Sequence, residues 1–107
     1  MSRKNNTAEK NVQISVEGEM TIYRAAELKA SMLPEIERAQ KIEIDLSHVT
    51  EIDSAGLQLM VAAKLEAIQR GKALHFTGHS KPVMDMLDLF DLGAFFGDQI
   101  VISSHVS

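Results

Sequence analysis

Cysteine is absent from this chain of 107 residues, so it has no disulfide framework, no thiolate nucleophile and no cysteine-based metal site. An excess of basic residues is absent as well, because the formal net charge is −4 at pH 7. Without a basic face to neutralise phosphates, direct binding of nucleic acid is not expected, and protein partners are favoured.

Long apolar runs are also missing from the sequence. No segment reaches the length of about 20 apolar residues that is needed to cross a bilayer. The polar residues 1–11 lack the apolar centre of a signal peptide. We therefore expect a cytoplasmic protein without direct membrane insertion.

The composition that remains is typical of one globular domain. Apolar residues make up 45% of the chain and charged residues 24%, which argues against disorder. The length is sufficient for one core but too short for two. Residues 1–11 contain almost no apolar side chains and are predicted to form a flexible N-terminal segment, so the domain is placed at residues 12–107.

Alternation of apolar and polar residues, which is typical of a half-buried strand, occurs at four places. One face of each predicted strand is polar, whereas strands that are covered on both faces are continuously apolar. The sequence therefore predicts an α/β domain with a mixed sheet of about four to five strands and helices packed on one face. The predicted inward residues are Val12, Ile14 and Val16, then Ile42, Ile44 and Leu46, then Leu74 and Phe76, then Ile100 and Ile102.

Three stretches with helical spacing of apolar residues alternate with these strands. The first contains Pro34, which removes a backbone donor at a cost of about 3 kcal/mol, so a kink or break is expected near Leu33. The second helix is predicted at residues 54–70 and the third at residues 81–90. The predicted inward residues are Ala25, Leu28, Met32, Ile36 and Ala39 in the first helix, Leu57, Val61, Leu65 and Ile68 in the second, and Val83, Leu87 and Phe90 in the third.

Residues typical of helix ends mark the limits of the second and third helices. Asp53 and Ser54 are typical of a helix N-terminus, where capping is their commonest role. Ser80 is predicted to cap the third helix, and Gly71 is predicted to end the second. Parallel strands joined by a crossover helix have their helix N-termini at one end of the sheet, so we expect Ser54 to lie close to the loop of residues 78–80. The two helix dipoles at that end suit an anion such as phosphate.

The segment from Asp45 to Leu57 reads DLSHVTEIDSAGL, and here the chain resembles the STAS family, in particular its anti-sigma factor antagonists. The resemblance extends over about residues 12–97. It implies that Ser54, the hydroxyl residue of the D-[ST]-x-G turn, is phosphorylated by an anti-sigma factor that is also a serine kinase of the histidine-kinase-like ATPase type, with a phosphatase to reset it. The domain is then a binding switch and a kinase substrate, with no catalytic residue of its own.

A set of residues around Ser54 is predicted to contact the partner protein. Leu59 and Met84 fall off the apolar stripes of their helices, and Gly56 lacks a side chain that would obstruct a kinase active site. An unpaired phosphate beside Asp53 is expected to break the complex and leave the domain folded. The predicted contact residues are Thr21, Asp53, Ser54, Ala55, Gly56, Leu59, His79, Ser80 and Met84.

Two positions depart from the family pattern. Thr21 stands where antagonists of this type usually carry an acidic residue, which leaves the identity of the partner open. Asp91 stands where glycine is common. Because aspartate tolerates the left-handed backbone conformation better than most residues, the third helix is still expected to end there.

The main alternative function is a STAS subunit that docks the ATPase of a lipid-transport ABC complex without a phosphorylation switch. A phosphoaspartate receiver is disfavoured because the last predicted strand is followed by Ser103-Ser104-His105 and not by a lysine. An enzyme is disfavoured because no nucleophile has a base at a recognisable spacing. The four histidines lack i,i+4 partners and cysteine neighbours, so neither a metal nor another cofactor is predicted. Either a monomer or a weak dimer is compatible with the sequence.

Overall fold

Strands and helices alternate along the chain in the computed structural model, which describes residues 11–92. None of the helices in this part of the chain combines the length and apolarity needed to cross a bilayer. The elements are β1 (Asn11–Met20), α1 (Ala25–Arg38), β2 (Lys41–Ile52), α2 (Ser54–Gln69), β3 (Ala73–Thr77) and α3 (Lys81–Leu89).

The described strands form one parallel sheet in the order β1-β2-β3. The prediction of a mixed sheet of four to five strands is therefore wrong for residues 11–92, which contribute three strands of one orientation. The physical reason is that a helix follows each strand and returns the chain to the starting edge of the sheet, so consecutive strands run the same way. The strand that was predicted around Ile100 and Ile102 lies outside the described residues.

The two faces of the sheet differ as the alternation predicts. The inner residues of the central strand are almost fully buried, with Ile44 and Leu46 both 0% exposed. Lys41 and Glu43, which alternate with Ile42 and Ile44 along the strand, are exposed. The helices cover the buried face, where α1 packs on β1, α2 packs on β2 and β3, and α3 packs on β2.

Helix α1 continues through Pro34, so of the predicted kink or break near Leu33 the break is wrong. Leu28, Met32 and Ile36 are all buried on its inner face, as the stripe predicts. Burying three large apolar side chains contributes more than the roughly 3 kcal/mol that an interior proline costs. Tertiary packing therefore overrides the local propensity.

Helix α2 buries a different face from the one that the apolar stripe predicts. Leu65 and Ile68 are 44% and 56% exposed, whereas Met60 and Ala67 are 0% exposed. The helix packs on β2, on β3 and on α1, so the small residues needed for close approach occupy its buried face. The prediction of Leu65 and Ile68 as inward residues is wrong.

Helix α3 is shorter than predicted and ends before Phe90, which is its C-cap. Val83 and Leu87 are buried as expected, but Phe90 is 51% exposed, so its predicted place in the core is wrong. Asp91 follows with φ 56°. The predicted left-handed helix end at this aspartate is confirmed.

This helix end offers a test of backbone strain. Replacing Asp91 by glycine is expected to raise the free energy of unfolding by about 0.5–1 kcal/mol, because glycine adopts positive φ without a steric penalty. Urea denaturation measures the change. Asp88→Gly is the matched control, since Asp88 lies inside α3 and glycine there is expected to lower stability by about 1 kcal/mol. A less stable Asp91→Gly variant would contradict this account of the turn.

The starts of α2 and α3 lie at different levels of the sheet, because β2 extends further than β3. Thr77, the last residue of β3, pairs with Asp45, whereas Met20 at the end of β1 pairs with Ile52. Strand β2 thus continues for seven residues beyond the end of β3, on the order of 20 Å at about 3.3 Å per residue. The expected closeness of Ser54 to the loop of residues 78–80 is therefore wrong, because the strands end at different levels.

Candidate functional site

Asp53 occupies the N-cap of α2 and ties two parts of the chain together. Its Oδ1 atom accepts a hydrogen bond of 3.0 Å from the backbone amide of Gly56. Its Oδ2 atom accepts one of 3.1 Å from the backbone amide of Ile22, in the turn between β1 and α1. The hydrogen bond from Ile22, which has the larger effect, and the one from Gly56 hold the pKa of Asp53 below its ordinary value of 3.8. One carboxylate therefore both caps α2 and fixes the β1–α1 turn.

Ser54 is the first residue of α2 and is exposed. Because Asp53 supplies the cap, the Ser54 hydroxyl is not needed for it. Within residues 11–92 this hydroxyl has no hydrogen-bond partner. A serine held on a rigid helix start with its hydroxyl in the open is accessible to a modifying enzyme or to a partner.

Gly56 is buried and lies against the backbone at the end of β1. A Cβ atom at this position would lie 1.9 Å from the carbonyl oxygen of Met20 and 3.0 Å from Cγ1 of Ile52. The glycine thus permits close packing of α2 on the strand ends. Its contact with a partner stays a prediction, as does that of Ala55 beside it, which is half-buried.

Thr21 turns inward and is 8% exposed. Its hydroxyl donates a hydrogen bond of 3.0 Å to Oε1 of Glu19 and accepts one of 3.3 Å from the backbone amide of Tyr23. The Thr21 hydroxyl is therefore used within the β1–α1 turn, and its contact with a partner stays a prediction.

The residues that the turn presents to solvent are Ile22 and Tyr23, which are 67% and 88% exposed. Neither was among the predicted contact residues. The available signal was their position, since two large apolar residues follow a strand at a place where turns are usually polar. We call Ile22, Tyr23 and Ser54, which Asp53 holds together, the Ser54 surface.

Leu59 is buried, at 6% exposed, although it was predicted to be exposed. It borders a cleft of about 80 Å³ between α1 and α2, together with Met32 and Ile36 of α1. The prediction failed because α1 packs beside α2 and covers the side of the helix that carries Leu59. Leu59 thus belongs to the core, and its contact with a partner stays a prediction.

The remaining predicted contact residues lie beyond the end of β3 and in α3, away from the start of α2. Gly78 approaches the Asp45 side chain, and Met84 on α3 is 37% exposed, as predicted. His79 and Ser80 are half-buried. Ser80 is the N-cap of α3, but its side chain makes no capping hydrogen bond, so that part of the prediction is wrong.

Comparisons with known proteins agree with this fold. The family model described as "Mlab, STAS domain" matches residues 4–102. The anti-sigma-B factor antagonist of Bacillus subtilis (strain 168) is 26% identical over 84 residues, which is 78% of this chain and 77% of the relative.

Solved structures share the same fold at low sequence identity. The anti-sigma factor antagonist SpoIIAA in its unphosphorylated form is similar with a TM-score of 0.69 at 18% identity, over 86% of this chain and 82% of its own. A sulfate transporter family protein from Wolinella succinogenes has a TM-score of 0.68 at 21% identity, over 80% and 70% of the two chains. The STAS domain of a SulP transporter from Vibrio cholerae has a TM-score of 0.61 at 19% identity, over 82% and 68%.

Proposed function

This chain belongs to the STAS domain family, and on that premise we propose that it is an anti-sigma factor antagonist whose partner binding is switched by phosphorylation of Ser54. The unphosphorylated protein captures an anti-sigma factor that is also a serine kinase of the histidine-kinase-like ATPase type. Phosphate on Ser54 releases that partner, and a phosphatase resets the switch. The domain acts in the cytoplasm as a kinase substrate and binding module, not as a catalyst.

The observation that carries the proposal is that Asp53 and Ser54 have different roles at the start of α2. Asp53 makes both structural hydrogen bonds, so the exposed Ser54 hydroxyl can be modified without the loss of the helix cap. The curated relative from Bacillus subtilis is itself an anti-sigma-B factor antagonist, and a solved relative is described as an antagonist in its unphosphorylated form.

The expected effect of phosphate differs between the fold and the interface. Phosphate adds a charge of roughly −1.5 to −2 at pH 7. At an exposed helix N-terminus the dipole interacts favourably with such a group by about 0.3–1 kcal/mol, so the fold tolerates it. In an interface the same group must lose its water beside the Asp53 carboxylate, and an unpaired buried anion costs several kcal/mol.

Replacement of Ser54 tests the switch. Ser54→Ala is expected to bind a purified ATPase-type anti-sigma factor from the same genome within about threefold of the parental affinity, since the hydroxyl makes no structural bond. Ser54→Asp is expected to weaken binding by about tenfold or more, equivalent to about 1.4 kcal/mol. Isothermal titration calorimetry measures both, with circular dichroism as the check on folding.

Ser31→Asp is the matched control, because Ser31 is an exposed serine on α1 and the substitution adds the same charge. This control is expected to bind like the parental protein. Equal affinity of Ser54→Ala and Ser54→Asp would rule out the switch. Co-purification of all three variants with an ABC ATPase would instead favour the constitutive transporter subunit.

A further inference from the structure

We propose that Tyr23, with Ile22 beside it, is the apolar anchor of the Ser54 surface, and that the partner protein receives the Tyr23 ring in an apolar pocket next to the position where it meets Ser54. The proposal rests on the proposed function and names the contact that gives the complex its affinity. Tyr23 is the most exposed large hydrophobic residue within residues 11–92, at 88%.

The exposure of these two residues is imposed by the turn that carries them. Met20, the last residue of β1, and Thr21, the first of the turn, are 0% and 8% exposed, so both are buried. The next two residues, Ile22 and Tyr23, are 67% and 88% exposed. A single exposed apolar residue is ordinary on a protein surface, but a consecutive pair on a folded turn presents a continuous apolar area.

The turn is held rigid by side chains. Its backbone amides bond to Asp53 Oδ2 from Ile22 at 3.1 Å and to the Thr21 hydroxyl from Tyr23 at 3.3 Å. The Arg24 guanidinium donates to the carbonyl oxygens of Glu17 at 2.6 Å and Glu19 at 2.9 Å. A turn whose backbone is already held in one conformation loses little conformational entropy when it binds. This preorganisation raises the affinity for a given contact area.

The position of the anchor connects it with Ser54. The Asp53 carboxylate that holds the Ile22 amide belongs to the residue immediately before Ser54, so a partner that covers Ser54 also meets the turn. Tyrosine is among the residue types that dominate binding energy in protein interfaces, because its ring is large, stiff and carries a polar tip. The surface therefore fits a protein with a pocket of aromatic size.

The test uses the same purified ATPase-type anti-sigma factor and titration calorimetry. Tyr23→Ala is expected to weaken binding by about 30-fold or more, the range of interface residues that dominate affinity, and Tyr23→Phe is expected to stay within about threefold because it keeps the ring. Ile68→Ala is the control, since Ile68 is 56% exposed but lies near the far end of α2. It is expected to leave the affinity unchanged.

The outcomes separate this proposal from the switch. If Ser54→Asp weakens binding and Tyr23→Ala does not, the anchor is refuted while the switch stands. If Tyr23→Ala weakens binding and Ser54→Asp does not, the anchor stands while the switch fails. Flotation with vesicles of phosphatidylglycerol and phosphatidylcholine tests a membrane as the occupant, and loss of vesicle binding in Tyr23→Ala with unchanged partner affinity would overturn the proposal.

Discussion

Replacing Gly56 by alanine is expected to lower the free energy of unfolding by about 3 kcal/mol or more. Helix propensity alone predicts the opposite sign, because alanine is favoured over glycine inside a helix by about 0.5–1 kcal/mol. The added Cβ would lie 1.9 Å from the Met20 carbonyl oxygen and 2.9 Å from its carbonyl carbon. The buried Met20 backbone cannot move aside without moving β1 away from α2. The clash therefore outweighs the helix propensity, and the variant is expected to be less stable.

Denaturant unfolding of Gly56→Ala, followed by far-UV circular dichroism, measures this effect. Gly71→Ala is the control, since a Cβ there meets nothing within 4 Å although φ is +71°. Backbone strain alone is expected to cost that control about 1–2 kcal/mol. A Gly56→Ala variant as stable as the parental protein would show that α2 does not pack on β1 in this way, whereas a variant that fails to fold agrees with the prediction.

Replacing Asp53 by alanine is expected to lower the melting temperature by several degrees, as the loss of an N-cap commonly does in a domain of this size. The loss is expected to exceed that of Asp53→Asn. Asparagine can still cap α2 through its side-chain oxygen, but its amide nitrogen cannot accept the hydrogen bond from the Ile22 backbone. The two variants therefore separate the cap from the tie to the β1–α1 turn.

The same pair carries a binding prediction. If the hydrogen bond from the Ile22 amide to Asp53 positions the Ser54 surface for binding, Asp53→Asn is expected to weaken the partner complex while most of the free energy of unfolding is kept. Scanning calorimetry and titration calorimetry on the same samples give the two readouts. Identical melting temperatures for Asp53→Ala and the parental protein would contradict the role of Asp53 in the fold.

The acid dependence of stability follows from the depressed pKa of Asp53. A carboxyl group whose pKa is lower in the folded state contributes stability that is fully present above the unfolded value of 3.8 and is lost as the pH falls through the folded pKa. Asp53→Asn is expected to lack this part of the acid destabilisation. Asp45 also has a depressed pKa, caused by hydrogen bonds from Ser47, so Asp45→Asn is the matched comparison in unfolding titrations between pH 2 and pH 6.

The second helix shows what the spacing of apolar residues can and cannot predict. The stripe of Leu57, Val61, Leu65 and Ile68 correctly predicts a helix in this segment, and α2 begins at Ser54 as expected. Its buried face is nevertheless centred on Gly56, Met60, Ala63 and Ala67. A helix that packs on a sheet and on a second helix needs small residues where the backbones come close. Apolar spacing along the chain does not reveal which neighbour will approach which side.

The contact surface shows the same division between local and long-range causes. The helix start at Asp53 and the exposure of Ser54 follow from residues that are adjacent in sequence. The tie from Asp53 to Ile22 joins residues 31 positions apart, and it positions the turn that carries Thr21 and Tyr23. The burial of Gly56 against Met20 and of Leu59 against α1 likewise arises between distant segments.

The amino-acid sequence by itself determined the three described strands with one polar face, the limits of α2 and the left-handed end of α3 at Asp91. Each of these follows from local rules of side-chain alternation, capping and backbone sterics. Only the tertiary structure decided that the strands end at different levels, that Gly56 is a packing residue and that the β1–α1 turn presents Ile22 and Tyr23 beside Ser54. Those features depend on strand register and on backbone approach between distant segments, and short-range patterns do not encode either of them.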